Sequence, residues 1–104
     1  MGVDKDINKA TFWYEKSAKQ GCLNAQFNLA LIYDIGNGID KDTNKAIHWY
    51  KESAEQGHQY AQYNLAYIYK NGDGIDKDMD KAIYWYKKSA EQGNQYAQYN
   101  LAII

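Results

Sequence analysis

The chain has no proline, no arginine, a single cysteine and no long apolar run. Each absence narrows the reading. Without proline, the commonest helix breaker is missing and long uninterrupted helices are allowed. Twelve lysines against thirteen acids leave a net charge of −1, so the clustered positive charge of a nucleic-acid binder is absent. No stretch approaches the ~18 apolar residues of a membrane span. The opening MGVDKD is charged and does not read as a secretory leader. Its sixth residue, Asp6, is not the Ser or Thr of an N-myristoylation signal. Cys22 alone excludes an intrachain disulfide and fits a reducing compartment, so a cytoplasmic location is expected. The 104 residues fit one domain, and 45% hydrophobic with 24% charged suits a folded protein. There is no room for a catalytic domain plus a regulatory one.

Aromatics are abundant instead: eleven tyrosines and three tryptophans, spread evenly along the chain. They follow a repeat. Gly2, Gly38 and Gly74 open three segments 36 residues apart. The units are 2–37, 38–73 and 74–104, the last incomplete. The third matches the middle one at 25 of the 31 positions it retains, and the first matches it at 21 of 36. A period in the thirties implies one supersecondary unit stacked on itself.

Each unit holds two helical stretches. Asp42 is placed to cap one, with Ala46, Tyr50 and Ser53/Ala54 recurring on one face and Gly57 at the left-handed C-terminal position. The other carries Ala61, Leu65, Ile68 and Tyr69 and ends at Asn71-Gly72-Asp73-Gly74. The pattern predicts six helices, over 6–20, 23–35, 42–56, 59–71, 78–92 and 95–104. Alanines recur at fixed places: Ala10, Ala46, Ala82; Ala18, Ala54, Ala90; Ala25, Ala61, Ala97; Ala30, Ala66, Ala102. They let neighbouring helices approach closely. Trp13, Trp49 and Trp85, with Tyr14, Tyr50 and Tyr86, are expected to fill the gaps between layers.

Ala61, Leu65, Ala66 and Tyr69, followed by Gly72, Gly74, Asp78, Lys81, Ala82, Trp85, Tyr86, Ala90 and Gly93, spell a pattern that resembles the Sel-1-like repeat, a relative of the tetratricopeptide repeat. The resemblance covers the whole chain. It implies an all-α solenoid, a right-handed superhelix of antiparallel helix pairs whose first helices line the concave side. It also implies a scaffold or adaptor that binds other proteins and performs no chemistry. Some secreted bacterial members carry a cysteine pair in each repeat and have been linked to penicillin binding or β-lactamase activity. One cysteine sets this chain apart from that subgroup. The chain starts in the second helix of a repeat and stops at Leu101-Ala102-Ile103-Ile104 without a polar capping helix. It is therefore expected to be an excerpt of a longer array or a unit that stacks end to end.

The candidate binding residues lie on the concave-side helices. Tyr60, Tyr63 and Tyr67 are spaced i, i+3 and i+7, within about 60° of one another on a helix. Their equivalents are Asn24, Phe27 and Leu31 before, and Tyr96, Tyr99 and Ile103 after. By resemblance to tetratricopeptide repeats these positions touch a bound peptide. Tyrosine offers large rigid area and a hydroxyl at little entropic cost. The alternative is that the tyrosines pack against the next repeat, above all Tyr63 and Tyr99. Asn28, Asn64 and Asn100 recur beside the row and are suited either to a peptide backbone or to tying their own helix to the adjacent loop. Internal pairing is favoured, because buried polar groups usually find internal partners. The related chaperone-binding repeats clamp an acidic C-terminus with several cations. Only Lys70 is near here, so that ligand class is not expected.

No cofactor or metal is expected either. Asp76, Asp78 and Asp80 imitate the start of a calcium loop, but the sixth position is Lys81 and the twelfth Lys87, and helix capping accounts for the acids better. His48 and His58 lack partners at ligand spacing. No nucleophile or phosphate-loop motif occurs. Glu15, Glu52, Glu55 and Glu91 mix with Lys16, Lys19, Lys51, Lys87 and Lys88 as a solvated face. The expected function is non-catalytic binding of a protein or peptide in an aromatic groove, with head-to-tail self-association as the alternative and neither nucleic acid nor membrane as partner.

Overall fold

Repetition of sequence becomes repetition of capping chemistry. The computed structural model describes residues 7–36 and 38–104. They form six helices: α1 (Ile7–Lys19), α2 (Leu23–Ile35), α3 (Thr43–Glu55), α4 (Gln59–Asn71), α5 (Met79–Glu91) and α6 (Gln95–Ile103), with no strand among the described residues. Gly2 and Asp6, with which the first unit opens, and Asn37, which closes it, lie outside them. Each helix packs on the one before and the one after. The molecule measures 42 × 25 × 23 Å.

The turn from α3 to α4 shows how three residues suffice. The His58 N–H donates to the Ser53 carbonyl at 3.2 Å and the Gly57 N–H to that of Ala54 at 3.0 Å. This is a Schellman ending, in which a left-handed residue lets the chain close over the last carbonyls. Gly57 supplies it, at φ +98°. His58 then serves the next helix: its Nδ1 accepts the Ala61 N–H at 3.2 Å. Asn94 caps α6 in the same way, accepting the Ala97 N–H at 2.9 Å. The longer connections are tied at both ends. Asp42 and Asp78 accept the N–H groups of Lys45 and Lys81 at 3.1 Å, and their own N–H groups donate to the carbonyls of Tyr33 and Tyr69 at 2.9 Å.

The core is built from alanine as much as from large residues. Ala18, Ala25, Ala30, Ala46, Ala54, Ala61, Ala66, Ala82 and Ala97 are buried, around Leu29, Leu65, Tyr50 and Tyr86. Such short side chains bring helix backbones close enough for polar side chains to bridge them. The Ser53 hydroxyl donates to the Leu23 carbonyl at 2.8 Å, and Ser89 donates to Gln59 at 2.9 Å. Gln62 donates to the Ala54 carbonyl at 3.0 Å and accepts from Gln92 at 2.8 Å. Gln26 does the same between Ala18 and Gln56, at 3.1 and 2.8 Å. These buried glutamines and serines form a polar ladder that knits one repeat to the next, and each is satisfied, as burial demands.

The tryptophans do not behave alike. Trp85 is only 8% exposed, between layers as expected, but Trp13 on α1 is 58% exposed. Among the described residues no helix precedes α1 to cover it. Ala102 is likewise exposed.

Gly57→Val tests the turn. A Cβ at Gly57 would meet nothing within 4 Å, so the cost expected is chiefly that of the backbone, about 2 kcal/mol for a β-branched residue at positive φ. Thermal unfolding should show a clear drop in midpoint, and an unchanged midpoint would contradict the assigned turn.

Candidate functional site

The aromatic row sits on α2, α4 and α6, and its members divide into anchors and displayed residues. Phe27 and Tyr63 are half-buried against the core. The Phe27 ring stacks on His58 at 4.5 Å and lies 6.0 Å from Tyr50. Tyr63, one repeat later, lies 5.6 Å from Tyr86, 6.2 Å from Tyr96 and 6.4 Å from Tyr67. Tyr60, Tyr67, Tyr96 and Tyr99 are more than half exposed. Leu31 is half-buried, packed on the core beside Phe27. Packing thus absorbs Tyr63, as one alternative held, whereas Tyr99 is free on the surface of α6.

The asparagines take three kinds of partner, none of them a loop. Asn28 and Asn100 donate to the carbonyls of Asn24 and Tyr96, one turn back on their own helices, at 3.0 and 2.8 Å. Asn64 reaches across to the Tyr50 hydroxyl at 3.3 Å. Asn100 also accepts from Lys70 Nζ at 3.1 Å, which ties α4 to α6. Internal pairing therefore holds for all three, through helix and neighbour.

Two residues that the sequence pattern did not single out complete the surface. The Tyr50 hydroxyl donates to Asp34 Oδ2 at 2.9 Å, and Lys41 Nζ donates to the Asp34 carbonyl at 2.8 Å. Lys41 also lies 3.7 Å from the Asp34 carboxylate and 3.6 Å from that of Asp73. Burial first, and then the Asp34 charge, hold the Tyr50 phenol far above its ordinary range, so it acts as a donor at every working pH. An open cavity of about 370 Å³ is lined by Asp34, Tyr63, Asn64 and Tyr67. A second, of about 230 Å³, lies between Tyr60 and Tyr96 with Gln59, Asn94 and Gln95. Aromatic faces and amide groups line both, which suits an extended chain carrying apolar side chains and backbone polar groups.

On the α1, α3 and α5 side, two further cavities repeat at Trp49 with His48 and at Trp85 with Tyr84. Among the described residues no three His, Cys, Asp or Glu side chains are grouped to hold a metal ion, and no helix is long and apolar enough to cross a membrane.

The repeat model of the Sel1 family matches residues 1–22, 23–58 and 59–94. The chain belongs to the Sel1 repeat family. The family's frame pairs α2 with α3 and α4 with α5. Solved Sel1 structures superimpose closely. A protective antigen present in uropathogenic Escherichia coli strains is 39% identical with a TM-score of 0.80 over 84% of this chain. A Sel1 repeat protein from Oxalobacter formigenes is 41% identical with a TM-score of 0.84 over 93%. The chain spans 19% of the first and 40% of the second. Cysteine rich protein B of Helicobacter pylori, 23% identical, shares the fold with a TM-score of 0.81 over 93% of this chain and 71% of its own. No curated protein sequence gives a significant match. Sel1 repeats generally mediate protein–protein interaction as non-catalytic scaffolds.

His58 gives this surface a pH dependence. Burial pushes its imidazole below the ordinary range, and only the neutral ring can cap α4 through Nδ1. The folded state therefore binds the proton less readily than the unfolded chain. The stabilisation is intact above the unfolded value of about 6.5 and is lost as pH falls through it toward the lower folded value. Asn94 shows that an amide caps the same position without titrating. His58→Asn should keep the helix and flatten the fall in thermal midpoint below neutral pH; an identical fall in the variant would contradict the assignment.

Proposed function

We propose that the chain is a non-catalytic scaffold that holds a peptide or partner segment along α2, α4 and α6, on the concave side of a right-handed superhelix. The observation that carries this reading is the exposure of Tyr60, Tyr67, Tyr96 and Tyr99 in one row beside the half-buried Phe27 and Tyr63. Neighbouring exposed aromatics are the usual mark of an interaction surface. Rigid tyrosines on helices lose little entropy on contact, and centrally placed ones carry much of an interface's energy. The Asn64 and Gln59 amides, which line the two cavities, add hydrogen-bonding groups for a backbone; that of Asn94 is already bonded to the Ala97 N–H and to Gln59. The family's general role in protein–protein interaction supports the same reading.

End-to-end self-association is the second reading, favoured by the exposed Trp13 on α1 and Ile103 on α6. One experiment separates the two. Affinity capture from native extract is run with the wild type and with the Tyr60→Ala/Tyr67→Ala double variant. Tyr63 is left in place because its ring packs on Tyr86. The groove reading predicts a partner held by the wild type and weakened in the folded variant by at least about 2 kcal/mol, roughly thirtyfold in Kd. Undiminished capture by the variant contradicts the groove, and capture of nothing but copies of the chain by both supports self-association.

A further inference from the structure

The two inter-repeat junctions on the groove side are not chemically equivalent. In the first, the buried Tyr50 hydroxyl donates to the Asp34 carboxylate and accepts from Asn64. In the second, 36 residues on, Tyr86 replaces Tyr50, Asn100 replaces Asn64, and Lys70 replaces Asp34. The Tyr86 hydroxyl is fully buried and has no hydrogen-bond partner. A buried hydroxyl without a partner is costly and rare enough to call for an explanation. Here the explanation is local: the carboxylate that satisfies Tyr50 has no counterpart, and a lysine stands in its place.

We infer that this junction is the seat for a carboxylate carried by a partner, an Asp or Glu side chain of the segment lying in the groove. The inference rests on the groove reading above and adds the chemistry of one contact. By repeat equivalence the junction groups the Tyr86 hydroxyl, which has no partner, with Lys70 Nζ and with Asn100, whose amide already donates to the Tyr96 carbonyl. Lys70 and Asn100 are already linked to each other at 3.1 Å. The phenols of Tyr63 and Tyr67 lie close enough to Tyr86 to help raise its pKa, after burial itself. The same two rings line the 370 Å³ cavity, and the Tyr63 ring lies 5.6 Å from that of Tyr86, which places the junction next to that opening. Asp34, which also lines that cavity, is already held by Tyr50 and Lys41. A charged acceptor between an ammonium and a phenol forms short, charge-assisted bonds. This is a single seat, unlike the multi-cation clamp that the sequence argued against.

The probe is a random peptide library displayed on phage with the peptide C-terminus fused, so that every carboxylate it offers belongs to a side chain. Selection on the wild type should enrich peptides sharing Asp or Glu at one position. Selection on Lys70→Asp should lose that preference, because the variant restores the internal carboxylate of the first junction, while aromatic and apolar preferences remain. Tyr86→Phe should weaken the acidic preference and leave the thermal midpoint unchanged or higher, since its hydroxyl has no partner to lose; Tyr50→Phe should lower it. Enriched peptides without an acidic position, or an acidic preference that survives in Lys70→Asp, overturn the seat and leave the groove standing. No enriched peptide at all overturns both.

Discussion

Close approach of helix backbones at the buried alanines is the constraint on which the rest depends. Ala54 and Ala61 line the sides of one turn, and beside them Ser53 reaches the Leu23 carbonyl and Gln62 the Ala54 carbonyl. Those bonds exist only because no larger side chain holds the helices apart. An extra methylene group here would separate the backbones and strand several buried polar groups at once, which is the expensive way to fail. With the spacing fixed, α2, α4 and α6 present their aromatic residues at a regular interval, and the cavities between them follow.

The scaffold and the surface obey different rules. Glutamine, serine and alanine on the packing side are the same in each repeat that displays them. The groove side varies: Asp34 against Lys70, His58 against Asn94 and Cys22, Phe27 against Tyr63. A solenoid can afford this division, because each repeat meets only its neighbours and a change on the open face leaves the stacking intact.

Much of this was legible in the sequence. Apart from the start of α1, predicted at Asp6 outside the described residues, every helix end falls within one residue of its predicted place, because aspartate caps and glycine endings are local signals that packing does not override. The aromatic row was legible for the same reason, since its spacing is a helical property. The polar ladder was missed although its signal was present: Gln26, Gln62 and Gln98 recur beside the alanine stripe at the same period, but glutamine is seldom buried and no periodicity rule marks it as core. The pairing of Tyr50 with Asp34 joins residues on different helices, so no spacing rule announces it. The orphaned Tyr86 hydroxyl is subtler still, being visible only when two junctions are compared atom by atom. Trp13 shows the opposite limit: burial depends on a neighbour as much as on the residue, and no such neighbour for Trp13 stands among the described residues.

The central claim is that partners lie on the α2, α4 and α6 face and not on the tryptophan-lined cavities of α3 and α5. The most direct measurement is a heteronuclear NMR titration of the labelled chain with a selected peptide, reading backbone and side-chain amide shifts. The account predicts that the perturbed signals cluster at Tyr60, Asn64, Tyr67, Lys70, Tyr96 and Asn100. Perturbations gathered instead around Trp49, Tyr84 and Trp85, with the tyrosine row silent, would contradict it.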